Sequence, residues 1–305
     1  MKIAFHPSFI HPLPQNHRFP MEKYQKLKNF CDRVFDQDKD VWITPNPMKE
    51  EWIKSTHSEQ YIKRLQKGTL EKLEERKIGF PWSAQLWERE RRIVQGTWEL
   101  IQYAYENKSF GINIAGGTHH AFADKGEGFC LLNDLAIGAN LGVLAGLTRI
   151  LILDLDVHQG NGTASILRDN PHCFTFSMHA EKTYPLHKEK SDLDIAFAPR
   201  TKDDEYLQTL EEHLPLLLHE INPELILYNA GVDILEGDDV GTLQISLEGC
   251  RKRDELVYKK AATNGIPVVT TMGGGYQKNL TPILQAHENT ILEACKWEPL
   301  MKKSS

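Results

Sequence analysis

The segment Arg149-Ile-Leu-Ile-Leu-Asp154-Leu-Asp156-Val-His158-Gln-Gly160-Asn161-Gly162 sets the reading of the whole chain. Its opening apolar run suits a strand buried on both faces, as in a parallel sheet covered by helices. Asp154, Asp156 and His158 then recur with a period of two, which puts all three on one side of an extended chain. Three charged or coordinating groups on one side of an otherwise apolar strand are costly unless a cation compensates them. Gly160 and Gly162 let the backbone turn sharply beside them.

Similar apolar runs recur at 111–115, 173–177, 224–228 and 266–270. Between them, residues 133–147, 204–221 and 246–264 have helical length and plausible start signals, such as Ser246 two residues before Glu248. The alternation predicts an α/β fold: a single-domain open parallel sheet flanked by helices, spanning residues 1–305, with the last few residues a disordered tail. Met1 to Pro7 reads as a first strand, and the more polar, Pro-rich first 90 residues as a strand and loops covering one end. The run Glu88-Arg89-Glu90-Arg91-Arg92 mixes both signs and reads as a solvated helix face.

Composition removes several classes of function. With 36 Lys+Arg against 42 Asp+Glu the net charge is −6, so no global basic field draws the chain to nucleic acid or anionic lipid. The five cysteines are scattered, with no C-x-x-C pair, which argues against a disulfide framework or a zinc finger. The longest apolar stretch, 135–147, is broken by glycines and falls short of the ~18 residues that suggest a membrane span. A cytoplasmic location is expected, or a nuclear one in a eukaryote.

In an open parallel sheet, ligands bind outside the carboxyl ends of the strands. Gly116-Gly117-Thr118-His119-His120, Asp154 to Gly162, Asn229-Ala-Gly231-Val-Asp233 and Met272-Gly273-Gly274-Gly275-Tyr276 all follow predicted strands. Asp156, His158 and Asp233 make an Asp/His/Asp set with an open fourth position, the way a catalytic zinc is held. His6, His11, His17, His57 and His179 read as backbone-bonding or loop-capping residues.

The series G-G-T-H-H (116–120), G-F-C (128–130), D-L-D-V-H-Q-G-N-G (154–162), Y-N-A-G-V-D-I-L-E-G-D (228–238) and G-G-G-Y-Q-K (273–278) resembles the zinc-dependent histone deacetylase family, in wording closest to class IV and its bacterial relatives. His6-Pro7, His17-Arg18-Phe19-Pro20 and Lys252-Arg253-Asp254-Glu255 extend the similarity over nearly the whole chain. The resemblance implies the arginase/deacetylase fold and hydrolysis of an N-acyl amine, usually acyl-lysine. It implies zinc, with iron(II) as the alternative, on Asp156, His158 and Asp233, with His119 and His120 as catalytic pair and Tyr276 as oxyanion stabiliser. It pairs His119 with Asp154 and His120 with Asn161, where many relatives carry Asp. It also implies a structural potassium ion held by Asp154, Ser177 and carbonyls of Asp156, His158 and Met178. Phe129 and Gly128 would wall the substrate tunnel, with Gly275 beside Tyr276 and Tyr184 at the rim.

Two carboxylates cancel the formal charge of Zn²⁺, so a protein base is needed. His120 takes that role, with His119 as electrostatic partner or proton donor to the leaving amine; the sequence leaves the donor open. The expected partner is an acyl-lysine protein or peptide, or a small acylated amine such as an acetylpolyamine. An arginase-like hydrolase with two Mn²⁺ would need additional Asp/His ligands that the sequence does not offer. A non-catalytic acyl-lysine reader would not require both histidines and Tyr276.

Overall fold

The computed structural model describes residues 1–36 and 38–301. The first part of the chain forms β1 (Lys2–Ala4), α1 (Lys23–Val34), β2 (Trp42–Ile43), α2 (Glu50–Ile53), α3 (Glu59–Lys67), α4 (Lys72–Ile78) and α5 (Ala84–Asn107). β3 (Phe110–Asn113), α6 (Asp134–Leu144), β4 (Ile150–Asp154), α7 (Asn161–Leu167), β5 (Cys173–Ala180) and β6 (Leu193–Phe197) follow. α8 (Asp203–Ile221), β7 (Leu225–Asn229), α9 (Leu247–Thr263), β8 (Val268–Thr271) and α10 (Leu280–Met301) complete it. Among the described residues, eight strands pair in parallel in the order β2-β1-β3-β8-β7-β4-β5-β6. This is the single-domain α/β architecture expected. β4 and β7 lie inside the sheet with every residue buried, which is why they read as unbroken apolar runs.

Register positions the chemistry. Asn113 of β3 pairs with Thr271 of β8, Thr271 with Asn229 of β7, Asn229 with Asp154 of β4, and Asp154 with Ser177 of β5. One buried polar row therefore crosses five strands near their carboxyl ends. The loops leaving that row carry every candidate motif.

Three expectations are corrected. The first 90 residues form β1, β2, four helices and the start of α5, not a strand and loops. Their helices are short and narrowly amphipathic: α1 buries Lys23, Tyr24, Leu27 and Cys31 and leaves most of its charged residues outside, so the segment looked polar overall. The 88–92 run is not a purely solvated face. Arg89 and Glu90 are buried and paired with each other, while Glu88 and Arg92 pair at 2.7 Å on the exposed side. β6 was missed because this edge strand is half exposed and carries no continuous apolar run. The expected C-terminal tail falls mostly on residues 302–305, outside the described residues. No helix among those described is long and apolar enough to cross a membrane.

Candidate metal centre and active site

The extended chain ends at Asp154, and residues 155–158 bend instead of continuing the strand, a correction to the period-two reading. Each bend is closed by a carboxylate accepting from the amide two residues on: Asp154 Oδ1 from Asp156 N at 3.2 Å, and Asp156 Oδ1 from His158 N at 2.9 Å. Asp233 reaches across from the loop after β7 and accepts from Val157 N at 3.0 Å. His158 Nδ1 then lies 3.1 Å from both Asp156 Oδ1 and Asp233 Oδ2. All three residues are buried, and their ligand atoms lie within 4.8 Å of one another. No other such group of three occurs among the described residues.

This set fits a divalent cation. A Cβ on Gly274 would lie 1.9 Å from Asp233 Oδ2, and one on Gly231 would lie 2.1 Å from Asp156 Oδ2, so both carboxylates sit in space that only glycine leaves free. Two buried acids this close repel. Burial, and then the charge of Asp156, push the Asp233 carboxyl up. Burial alone would lower His158, yet its bonds to Asp156 and Asp233 outweigh that and push it up to about 10. Two carboxylates that favour positive charge on their neighbour are a donor set suited to a divalent cation.

His119 and His120 leave β3 through Gly116-Gly117-Thr118. Asp134, at the start of α6, holds this turn: its carboxylate accepts from Thr118 N at 2.8 Å, Thr118 Oγ1 at 2.7 Å and Thr97 Oγ1 at 2.8 Å. The two imidazoles lie tilted against each other with centroids 4.1 Å apart, but their partners differ. His119 Nδ1 donates to Asp154 Oδ2 at 2.7 Å, and His120 Nδ1 donates to Asn161 Oδ1 at 2.7 Å. Burial works against the His119 cation, but the charges of Asp154 and Asp156 win and push it up to about 9. Burial, followed by the charges of His119 and His158, holds His120 well below the usual imidazole range. Adjacent rings with opposite shifts are suited to acid and base roles respectively.

Tyr276 follows the glycine turn after β8. Its amide donates to Asp238 Oδ2 at 2.7 Å, and burial keeps its phenol protonated. Phe129 packs 5.8 Å from the Tyr276 ring and 5.2 Å from those of Phe19 and Phe80. It has left-handed backbone (φ +67), held by its amide bonding Ile78 O. Tyr184 stands edge-on to His120 with centroids 4.8 Å apart and donates to Glu127 Oε2 at 2.7 Å. Phe129, Gly128, Tyr184, His158 and Tyr276 share a cleft of about 320 Å³, with Arg18 and Lys77 exposed at its mouth. Gly275 (φ +142) lies in the turn before Tyr276, against Val232 and Ile283. Ser177 and Met178 are buried beside Asp154, but the Ser177 hydroxyl is engaged with His179 Nδ1 at 2.9 Å. His6, His17 and His57 bond backbone groups, as expected.

Sequence reasoning missed the supports. Asp134 lies outside every motif quoted above. Asn229, quoted only as part of a motif, donates to Asp154 Oδ1 at 2.9 Å. Arg253, fully buried, donates to the carbonyls of Gly231 and Leu155 while pairing with Asp254, so it braces the chain just ahead of both Asp156 and Asp233. Lys23, fully buried, donates to Gly273 O at 3.0 Å.

Residues 17–291 match the histone deacetylase domain family. An uncharacterized protein of Picosynechococcus is 42% identical over 93% of this chain and 95% of its own length. Histone deacetylase 2 of Arabidopsis thaliana is 37% identical over 64% of this chain and about half (51%) of its own. The crystal structure of a histone deacetylase homologue from Aquifex aeolicus superposes with a TM-score of 0.80 over 98% of this chain and 84% of that one, at 23% identity, a likeness of fold. With a metal-ligand cluster, a histidine pair and a tyrosine gathered at the carboxyl end of that fold, and a domain match covering nearly all of it, the chain belongs to the histone deacetylase family.

Proposed function

We propose that this chain is a zinc-dependent deacylase of lysine side chains, class IV-like by the wording of its motifs, acting as one domain across its length. The observation that carries the reading is the pair of adjacent histidines, one bonded to a carboxylate and the other to an amide oxygen, beside the buried Asp156/His158/Asp233 set. When bound there, zinc, or iron(II) in its place, supplies a Lewis acid for the acyl oxygen and acidifies water. His120, its Nδ1 proton committed to Asn161, offers Nε2 to take a proton from the attacking water. His119, charged against Asp154, stabilises the developing charge and delivers a proton to the departing amine nitrogen as the C–N bond breaks. The Tyr276 hydroxyl donates to the acyl oxygen as it gains negative charge. The pairing of Asp154 with Ser177 in adjacent strands supports a potassium ion between them, completed by carbonyls of Asp156, His158 and Met178.

The mouth favours a peptide over a polyamine. Arg18 and Lys77 stand exposed there without an ion-pair partner among the described residues, while Glu127 is taken up by Lys125 at 2.8 Å and by Tyr184. A polycation would meet like charge at the entrance. All five cysteines are unpaired, which supports a reducing, cytoplasmic setting.

The reading is tested by hydrolysis of acetyl-, octanoyl- and myristoyl-lysine peptides and acetylspermidine by zinc-loaded protein. A lysine peptide is expected as the best substrate, with Tyr276→Phe lowering its turnover by ~10²–10³-fold. Turnover of acetylspermidine alone transfers the site to polyamines. No turnover of any member with zinc bound leaves a reader or a hydrolase of another amide.

Asn161→Asp provides a separate check. A carboxylate in place of the Asn161 amide adds a charge that favours protonated His120, so its pKa rises. Because the base works unprotonated, the acidic limb of the kcat/KM profile moves to higher pH, by about one unit or more. A limb that stays in place sinks the assignment of His120 as base.

A further inference from the structure

Lys23 occupies the first residue of α1, in His17-Arg-Phe-Pro-Met-Glu-Lys23-Tyr24. A lysine at a helix start ordinarily reaches water; this one is fully buried. Its Nζ lies 5.5, 5.6 and 5.9 Å from the ring centroids of Phe19, Tyr24 and Tyr276. An ammonium carries three N–H donors, and the Gly273 carbonyl at 3.0 Å is its one hydrogen-bond partner among the described residues. Burial lowers its pKa to about 8, while Asp233, Asp156 and Asp238 act in the opposite direction.

The turn that Lys23 touches is the one that presents Tyr276. Gly274 N donates to Asp156 Oδ2 at 2.9 Å, Gly274 O accepts from Val232 N at 3.0 Å, and Tyr276 N donates to Asp238 Oδ2 at 2.7 Å. These anchors belong to the loops that carry Asp156 and Asp233. Gly273 O is tied instead to the N-terminal region. Three consecutive glycines have no intrinsic preference for one conformation, so the turn is only as fixed as its anchors.

We propose that Lys23 is a positioning residue for the Tyr276 hydroxyl: by holding the Gly273 carbonyl and packing its ammonium against the phenol, it sets where that hydroxyl meets the acyl oxygen. The role rests on the deacylase reading for what Tyr276 does. It is distinct from that reading, because Tyr276 could act without any help from α1.

A double-mutant cycle on zinc-loaded protein decides it, with wild type, Lys23→Met, Tyr276→Phe and the double variant. In the wild-type background Lys23→Met lowers kcat for an acetyl-lysine peptide by about 10- to 100-fold, the cost of a misplaced catalytic group, with KM nearly unchanged. In the Tyr276→Phe background the same change costs about 2-fold or less, since the hydroxyl it positions is gone. Equal losses in both backgrounds overturn the proposal, because a merely structural lysine would act the same way in each. The same cycle is read on calorimetric binding of an alkyl hydroxamate, whose carbonyl can accept from Tyr276. Non-additive affinities support the proposal and additive ones overturn it even if no acyl-lysine peptide is turned over, the outcome that would defeat the deacylase reading instead. Lys23→Gln keeps a donor for Gly273 O without the charge. It recovers most of the loss if the carbonyl is the handle, and a Gln variant as impaired as the Met one overturns the anchoring role; should Lys23→Met not fold, Lys23→Leu, which also lacks a donor, takes its place in the cycle.

Discussion

On the proposed deacylase role, His120→Ala is expected to lower kcat for acyl-lysine hydrolysis by ~10²–10⁴-fold, the range of a lost general base, while zinc content stays at the wild-type level. Among the described residues His120 makes one side-chain hydrogen bond, to Asn161, and none to Asp156, His158 or Asp233, so its removal leaves those three in place. Its neighbour cannot take over. His119 Nδ1 is committed to Asp154, and the ring is pushed up to about 9, so near neutrality it already carries the proton a base must accept. The check is steady-state kinetics with metal content measured on the same sample. A loss under about 10-fold at full zinc occupancy would move the base elsewhere in the cleft.

Arg253→Met is expected to destabilise the fold by about 3–5 kcal/mol, the cost of breaking one partner out of a buried ion pair. Arg253 and Asp254 are both fully inaccessible, with a guanidinium-to-carboxylate distance of 2.8 Å. Tyr228 and Thr290 donate their hydroxyls to the same carboxylate, the latter at 2.6 Å, so the acid stays oriented but loses its countercharge. The Gly231 carbonyl loses a donor as well, between the strand end of β7 and Asp233. Urea unfolding reads the effect as a lower midpoint at unchanged slope. Arg253→Met/Asp254→Leu should recover part of the loss, because an apolar pair carries no stranded charge. A single variant within 1 kcal/mol of wild type would falsify the bracing role.

The sequence alone determined the class of fold and the candidate chemistry. Ile150 to Leu153 and Leu225 to Tyr228 are apolar without interruption because both faces of an inner parallel strand are covered, and that leaves its mark on every residue of the strand. Asp156, His158, Asp233 and the His119–His120 pair were legible because charged groups next to such runs need a reason to be there. Tertiary structure decided what composition averages away. The amphipathic helices of the first 90 residues bury only narrow stripes, so nothing in the local sequence separates Lys23, buried against the Gly273 turn, from the surface cations around it. Arg89 and Glu90 looked solvated inside a mixed-sign run, and they are buried because α5 turns that edge inward. The polar row from Asn113 to Ser177 exists only through register, since pairing between strands is set by packing across the whole sheet and leaves no trace in any one strand. A motif names the groups that react; the distances between them, and the buried charges that hold them there, come from residues far away in the chain.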